Sequence, residues 1–170
     1  GLDDFAFVSA CDAVRQTAAK VYLDQQIPEP EFQRFIRDNW RLISFMGIPR
    51  TDPIPVNLPF SIRRSVTSLN IHNLVEEIVI FSARQSLATR RMPPEITFGR
   101  DPGIVIKEDK LYFPKSLIFA LLGSVILNPV NKDESVPAHY WINIWDFKMF
   151  TSELWGRMDL AERIMNLYSK

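Results

Sequence analysis

The side chains that most often carry chemistry are scarce in this chain. It has two histidines, His72 and His139, one thiol, Cys11, and only six glycines in 170 residues. Nucleophilic catalysis needs a nucleophile, a base and a group that orients the base. Cys11 falls at the flank of an apolar helical stripe, where a thiol is ordinary packing. No Gly-x-Ser-x-Gly, Walker-type or Gly-x-Gly-x-x-Gly stretch occurs, so neither a nucleophile elbow nor a phosphate-cradling loop is expected. His72 and Glu76 are four apart and can share a helix face, as metal ligands do, but zinc would need a third protein ligand. His139 or Asp146 would have to supply it, and no spacing implies either, so His72 is read as part of a helix start. The composition therefore predicts no catalytic residue, no metal and no cofactor, and it points away from an enzyme. No small-molecule substrate is evident.

Glu76 and Glu77 stand in an otherwise apolar helix. Adjacent helical positions project about 100° apart, which argues against a carboxylate pair sharing a proton. A polar seam met by arginines from neighbouring helices is the expected role.

The arginines are the first functional lead. Between Arg34 and Arg91 there are nine arginines, no lysine and four acids, a local excess of five positive charges. Arg34, Arg37 and Arg41 form one stripe opposite a helix's apolar face, Arg63 and Arg64 follow a proline-rich connector, and Arg90-Arg91 ends a helix. A guanidinium fork suits phosphate or carboxylate. Arg34, Arg37, Arg41, Arg63 and Arg64 are thus candidates to contact a nucleic-acid backbone. The plainer readings are pairing of Arg34 and Arg41 with Asp38, and a favourable cation at a helix C-terminus for Arg90-Arg91.

The second lead is aromatic. Tyr140, Trp141, Trp145, Phe147, Phe150 and Trp155 lie within sixteen residues. A segment this apolar on all sides must bury more than one face, and Trp and Tyr concentrate at interface hot spots. Tyr140, Trp141, Trp145, Phe150 and Trp155 are the candidate protein interface. The alternative is that they fill the domain's own core.

The elements that must position these residues follow from length and pattern. The composition, 46% hydrophobic with 12 Phe and 4 Trp, is that of a folded chain. The length suits a single helical domain over residues 1–170, and the Gly1 start suits a domain cut from a longer chain. Net charge is zero, so no overall field draws it to nucleic acid or membrane. The lone cysteine, with no Asn-x-Ser/Thr acceptor and no signal peptide, favours a soluble protein in the cytoplasm or nucleus. The most apolar run, Leu117 to Leu127, is too short to span a bilayer, so membrane insertion is not expected.

Apolar spacing predicts helices over 4–23, with Asp3 or Asp4 as cap, and over 31–46, stopped by Gly47 and Pro49. Residues 49–60, with four prolines, read as an ordered crossover. Helix is expected again from Ser61, with a break near 70–73 and a stretch apolar all round from Leu74 to Arg91. Three short β-like runs at 96–98, 104–106 and 111–113 make a hairpin or three-stranded meander over 95–113. Helix is expected over 115–127, and from Ser135 through Phe150, where a strand is the alternative because the run is apolar on all sides and its period does not decide. A last helix begins at Asp159 with a capping-box spacing to Glu162. Helices followed by a hairpin suggest a winged helix, but the helix before it lacks the polar face a recognition helix needs.

The fold class is mainly α: a compact multi-helix domain with a small β element. The preferred function is a non-enzymatic protein-interaction or assembly domain, its partner another protein or a copy of itself. The alternative is nucleic-acid binding.

Overall fold

A computed structural model describes residues 1–23, 25–26, 29–49, 58–59, 62–63, 71–144 and 147–168, with backbone alone at 71–72, 143–144 and 147. The first apolar stripe folds as expected. Phe7, Ala10, Cys11, Val14 and Ala18 form the buried side of helix α1 (Leu2–Val21). Gly1 rather than an aspartate precedes the helix, and Asp3 and Asp4 lie in its first turn, where acids favour the helix dipole.

The single helix expected over 31–46 is two, α2 (Glu31–Asp38) and α3 (Trp40–Gly47). The interruption is Asn39, whose side-chain amide donates to the Phe35 carbonyl at 2.9 Å. Short amide side chains compete with helical backbone bonding in this way. Helix α4 (Ile71–Thr89) buries Ile78, Val79, Ile80, Phe81 and Ala83 in succession, as its all-round apolar pattern implies. It ends at Arg90, whose φ of 58° is left-handed.

The β region comprises β1 (Ile96–Gly99), β2 (Val105–Lys107) and β3 (Lys110–Pro114). Strands β2 and β3 form a hairpin with Lys107 opposite Lys110. Both turn residues, Glu108 and Asp109, have positive φ, the backbone that matches a two-residue turn to strand twist. Strand β1 lies parallel to β3, Ile96 beside Leu111, so the order is β1-β3-β2 and the last strand is central. The sheet docks on α1 through Phe7, Phe98 and Phe113, whose ring centroids lie 5.6 to 6.3 Å apart.

Helix α5 (Ser116–Ile126) is the apolar core helix read from the sequence. The next segment is not helical. Strands β4 (Trp141–Ile144) and β5 (Phe147–Phe150) pair antiparallel, Trp141 opposite Phe150 and Ile142 opposite Met149. The helical expectation for 135–150 is thus corrected. Aromatic and β-branched residues favour extended backbone, and period-2 alternation sends Ile142 and Met149 to one face and Trp141, Lys148 and Phe150 to the other. Helix α6 (Met158–Tyr168) closes the chain. Asp159 falls in its first turn, fixed by Arg157 at 2.8 Å.

The fold is mainly helical, with two adjoining apolar clusters. The larger joins α1 to α5 and the three-stranded sheet around Phe7, Phe35, Ile43, Ile78, Leu111 and Leu121. The smaller gathers Leu42, Leu127, Leu154, Ala161 and Met165, with Ile142 and Met149 of the hairpin packed on it. No helix among the described residues is long and apolar enough to cross a membrane.

Helices α3 and α5 approach closely at Gly47. A Cβ there would stand 2.8 Å from the Ala120 Cβ and 3.0 Å from the Leu117 Cα. Backbone on the far side cannot yield without moving the helix. At Gly123 an added Cβ would meet only the end of Met46, 2.7 Å from its Cε, and a methionine tip can turn aside. Gly47→Ala is therefore expected to destabilise by about 2 kcal/mol through overpacking. Gly123→Ala should be neutral or slightly stabilising, since it gains helix propensity. Urea unfolding of the two variants checks the contrast, and equal losses would contradict it.

Candidate functional site

The two sequence leads have different surroundings. Arg37 does not project from an open basic stripe. It lies between α2 and α4, where its Nε donates to Glu29 Oε2 at 3.2 Å. Its Nη1 meets Glu76 Oε1 at 3.0 Å and Glu77 Oε1 at 2.7 Å. One guanidinium thus gathers three carboxylates, and the polar seam inferred for Glu76-Glu77 is present. The adjacent glutamates diverge at the backbone, yet both side chains reach the same nitrogen, which reading by angle alone misses. Burial pushes the Glu76 carboxyl above its ordinary range, opposed by the Arg37 charge. Hydrogen bonding to Glu77 leads the causes that raise Arg37, which stays charged.

Arg34 is exposed and pairs with Asp38 at 3.0 Å. Asp38 also accepts from the Tyr22 hydroxyl at 2.7 Å, and burial together with that carboxylate pushes the Tyr22 phenol far up. Arg41 lies beyond the Asn39 interruption, so it leaves the stripe and donates to Asn166 of α6 at 2.9 Å. Arg63 is helical and exposed. Arg64 lies outside the described residues. Among the described residues Arg34, Arg37 and Arg41 thus engage three separate sets of protein partners.

The aromatic segment is organised differently. On the hairpin's outer face Trp141 is 53% exposed and Phe150 44%, with Tyr140 just before them at 55%. The pairing across β4 and β5 sets Trp141 and Phe150 side by side. Lys148 lies over the Trp141 ring, its Nζ 4.2 Å from the centroid, and His139 stacks on Tyr140 at 4.5 Å. Trp145 lies outside the described residues. Trp155 is partly buried in the turn after the hairpin, and its indole N–H has no hydrogen-bond partner among the described residues. That turn is fixed to α5 by the Gly156 amide, which donates to the Ile126 carbonyl at 2.8 Å.

Some participants were not singled out from the sequence. Glu29 sits in the Ile-Pro-Glu-Pro stretch between the helices expected over 4–23 and 31–46. The prolines on either side, which restrict the backbone, were the available signal that its side chain is held in place. Tyr22 gave no such signal. Cys11 is buried in the core and burial pushes its thiol far up, which disfavours the thiolate that nucleophilic chemistry needs. Among the described residues no group of three His, Cys, Asp or Glu side chains could hold a metal ion.

The seam yields a signed pH prediction. Because burial raises Glu76 in the folded state, its contribution to stability is full below the unfolded value, about 4.3. It is lost as pH rises through the raised folded value. Glu76→Gln should therefore hold or increase stability at neutral pH and flatten the decline from acid to neutral. Glu77→Gln, which removes the shortest pair, should lower stability. Arg37→Met should cost about 2 kcal/mol at neutral pH, after allowance for partial exposure, because it leaves three carboxylates facing one another. That loss should shrink in acid. Thermal unfolding across pH reads all three, and a Glu76→Gln variant less stable than Glu77→Gln at neutral pH would refute the assignment.

No solved structure matches this chain. Two similar proteins are the uncharacterized protein Rv1289 of Mycobacterium tuberculosis (strain ATCC 25618 / H37Rv) and the uncharacterized protein Mb1320 of Mycobacterium bovis (strain ATCC BAA-935 / AF2122/97). Each is 25% identical over 171 residues, covering 96% of this chain and 80% of the relative. The family described as Rv1289 matches residues 2–170, essentially the whole length, and the chain belongs to that family.

Proposed function

We propose that this protein is a non-enzymatic interaction or assembly domain that docks a partner protein, or a second copy of itself, on the outer face of the β4–β5 hairpin. The observation that carries the reading is the pairing of half-exposed Trp141 with half-exposed Phe150 on a hairpin whose inner face is packed. Tyr140 extends the patch. Aromatic rings left in water beside a fixed scaffold are the usual anchors of protein interfaces.

The backbone supports the same reading. Among the described residues the hairpin is a two-stranded sheet, so each strand has an outward edge with no strand beside it. Such edges pair readily with another chain. An isolated hairpin is marginal in water, and this one is anchored on only one side.

The alternative, a phosphate-reading arginine face, draws less support, because Arg37 is committed to three carboxylates and Arg34 and Arg41 have protein partners of their own. We also propose an intracellular setting, supported by a single cysteine that is buried and can form no internal disulfide.

Sedimentation or light scattering at micromolar concentration, followed by affinity capture, tests the proposal. Trp141→Ala and Phe150→Ala should each weaken association by about tenfold, the loss typical of a hot-spot aromatic. Their unfolding temperature should barely change, since the rings stand partly in water. A strictly monomeric protein that captures no partner, or association indifferent to both substitutions, would overturn it.

A further inference from the structure

A second surface shares no residue with the hairpin. Where the start of α1 meets the end of α4 and the beginnings of β1 and β3, there is an open groove of about 530 Å³. Arg90, Arg91 and Lys110 line it, with a single carboxylate, Asp4. Neither Arg91 nor Lys110 has an ion-pair partner among the described residues. The rest of the lining is largely apolar, with Phe5, Val8 and Met92 among it, and Phe5 is 74% exposed.

The backbone at Arg90 adds an independent observation. Its φ of 58° puts it in the left-handed position after a helix, where glycine fits and a Cβ is strained. Arg90 pairs with Asp12, an interaction on the surface whose arginine is well exposed, and pairs of that kind contribute little. Strain at an arginine that lines a groove and gains little from its ion pair is the pattern of a residue kept for a ligand.

We propose that this groove binds a small phosphorylated molecule with an apolar or aromatic body. Arg91 and Lys110, neither held by a carboxylate among the described residues, together with Arg90, which Asp12 engages through Nη1, outweigh Asp4 and suit a dianion better than a single carboxylate. Guanidinium forks and an ammonium match the oxygens of a phosphate. The apolar lining and the uncovered Phe5 ring supply the contact for the body. The volume lies within the range of about 300–1,000 Å³ typical of small-molecule sites. This reading is independent of hairpin docking, and neither result depends on the other.

Calorimetric titration of the chain at low salt with phenyl phosphate, inorganic phosphate and phenol tests it. Phenyl phosphate should bind saturably, inorganic phosphate about tenfold more weakly and phenol not at all. Arg91→Ala and Lys110→Ala should each weaken phenyl phosphate roughly tenfold without moving the unfolding temperature, since neither side chain has a partner to lose. Arg90→Gly separates ligand from scaffold: affinity should fall while the unfolding temperature holds or rises, because the strain is relieved. Absence of saturable phenyl phosphate binding, equal affinity for inorganic phosphate, or affinity unchanged in both Arg91→Ala and Lys110→Ala would overturn the proposal.

Discussion

The constraint on which the rest of the structure depends is how closely α3 can lie against α5. Gly47 has no Cβ, so the helix end settles against the backbone of Leu117. The Ser116 hydroxyl fixes the approach by donating to the Gly47 carbonyl at 2.8 Å. Each of the two helices serves both apolar clusters. Ile43 and Leu121 enter the larger, Leu42 and Ile126 the smaller. The crossing thus joins the core that carries the sheet to the core that carries the hairpin. Interiors are close-packed, so widening it would open voids in both and remove the floor beneath Ile142 and Met149.

Polar groups at the margins of these cores set which elements meet. Arg37 ties α2 to α4, and its three carboxylates exceed what one cation neutralises. Partial exposure makes the excess tolerable, because solvent screens what the guanidinium leaves uncompensated. Asn131 does the corresponding work after α5. Its buried amide donates to Thr17 Oγ1 at 3.1 Å and to the Val125 carbonyl at 2.9 Å, while Lys20 donates to its oxygen at 3.1 Å. A buried polar group with its bonds made specifies one arrangement, because any slip leaves it unpaired. On the outer face of the hairpin, by contrast, Lys148 over Trp141 is a contact inside the patch itself and leaves both rings about half exposed.

Much of this was legible in the sequence, and the failures have physical causes. Helical elements with a strong one-sided stripe, such as α1, or an uninterrupted apolar run, such as α5, were recovered nearly to the residue. The break at Asn39 was not, because it depends on a side-chain bond to a carbonyl four residues earlier, and no spacing of apolar residues encodes that. The three short β runs were legible, but their order was not. Local turn chemistry pairs β2 with β3, whereas the parallel placement of β1 depends on Phe98 reaching Phe7 and Phe113, a tertiary contact. Residues 135–150 were ambiguous for a stated reason: the run is apolar throughout, and only the core beneath Ile142 and Met149 reveals the period of two. For the candidate surfaces, residue types were legible and their environment was not. Arginine spacing alone cannot show that Arg37 faces three glutamates from two other segments.

The charge pattern shows why the environment matters more than the count. The chain is neutral, yet its N-terminal third is acidic and its middle basic. Folding brings these regions together rather than displaying them as fields. Asp3 meets Lys115 at 2.9 Å, Asp12 meets Arg90, and Glu29 joins Glu76 and Glu77 on Arg37. Part of an asymmetry that suggests a polyanion partner in the linear sequence is thus taken up by contacts between elements. What survives such cancellation is more informative than what the count displays. Among the described residues Arg91 and Lys110 keep their charge without a carboxylate, and they do so in one groove beside an uncovered aromatic ring. On the hairpin the aromatic rings survive in the same sense, left over after the inner face has filled its core. A search for function in this family should start from these remainders, because paired charges and packed rings are already accounted for by the fold.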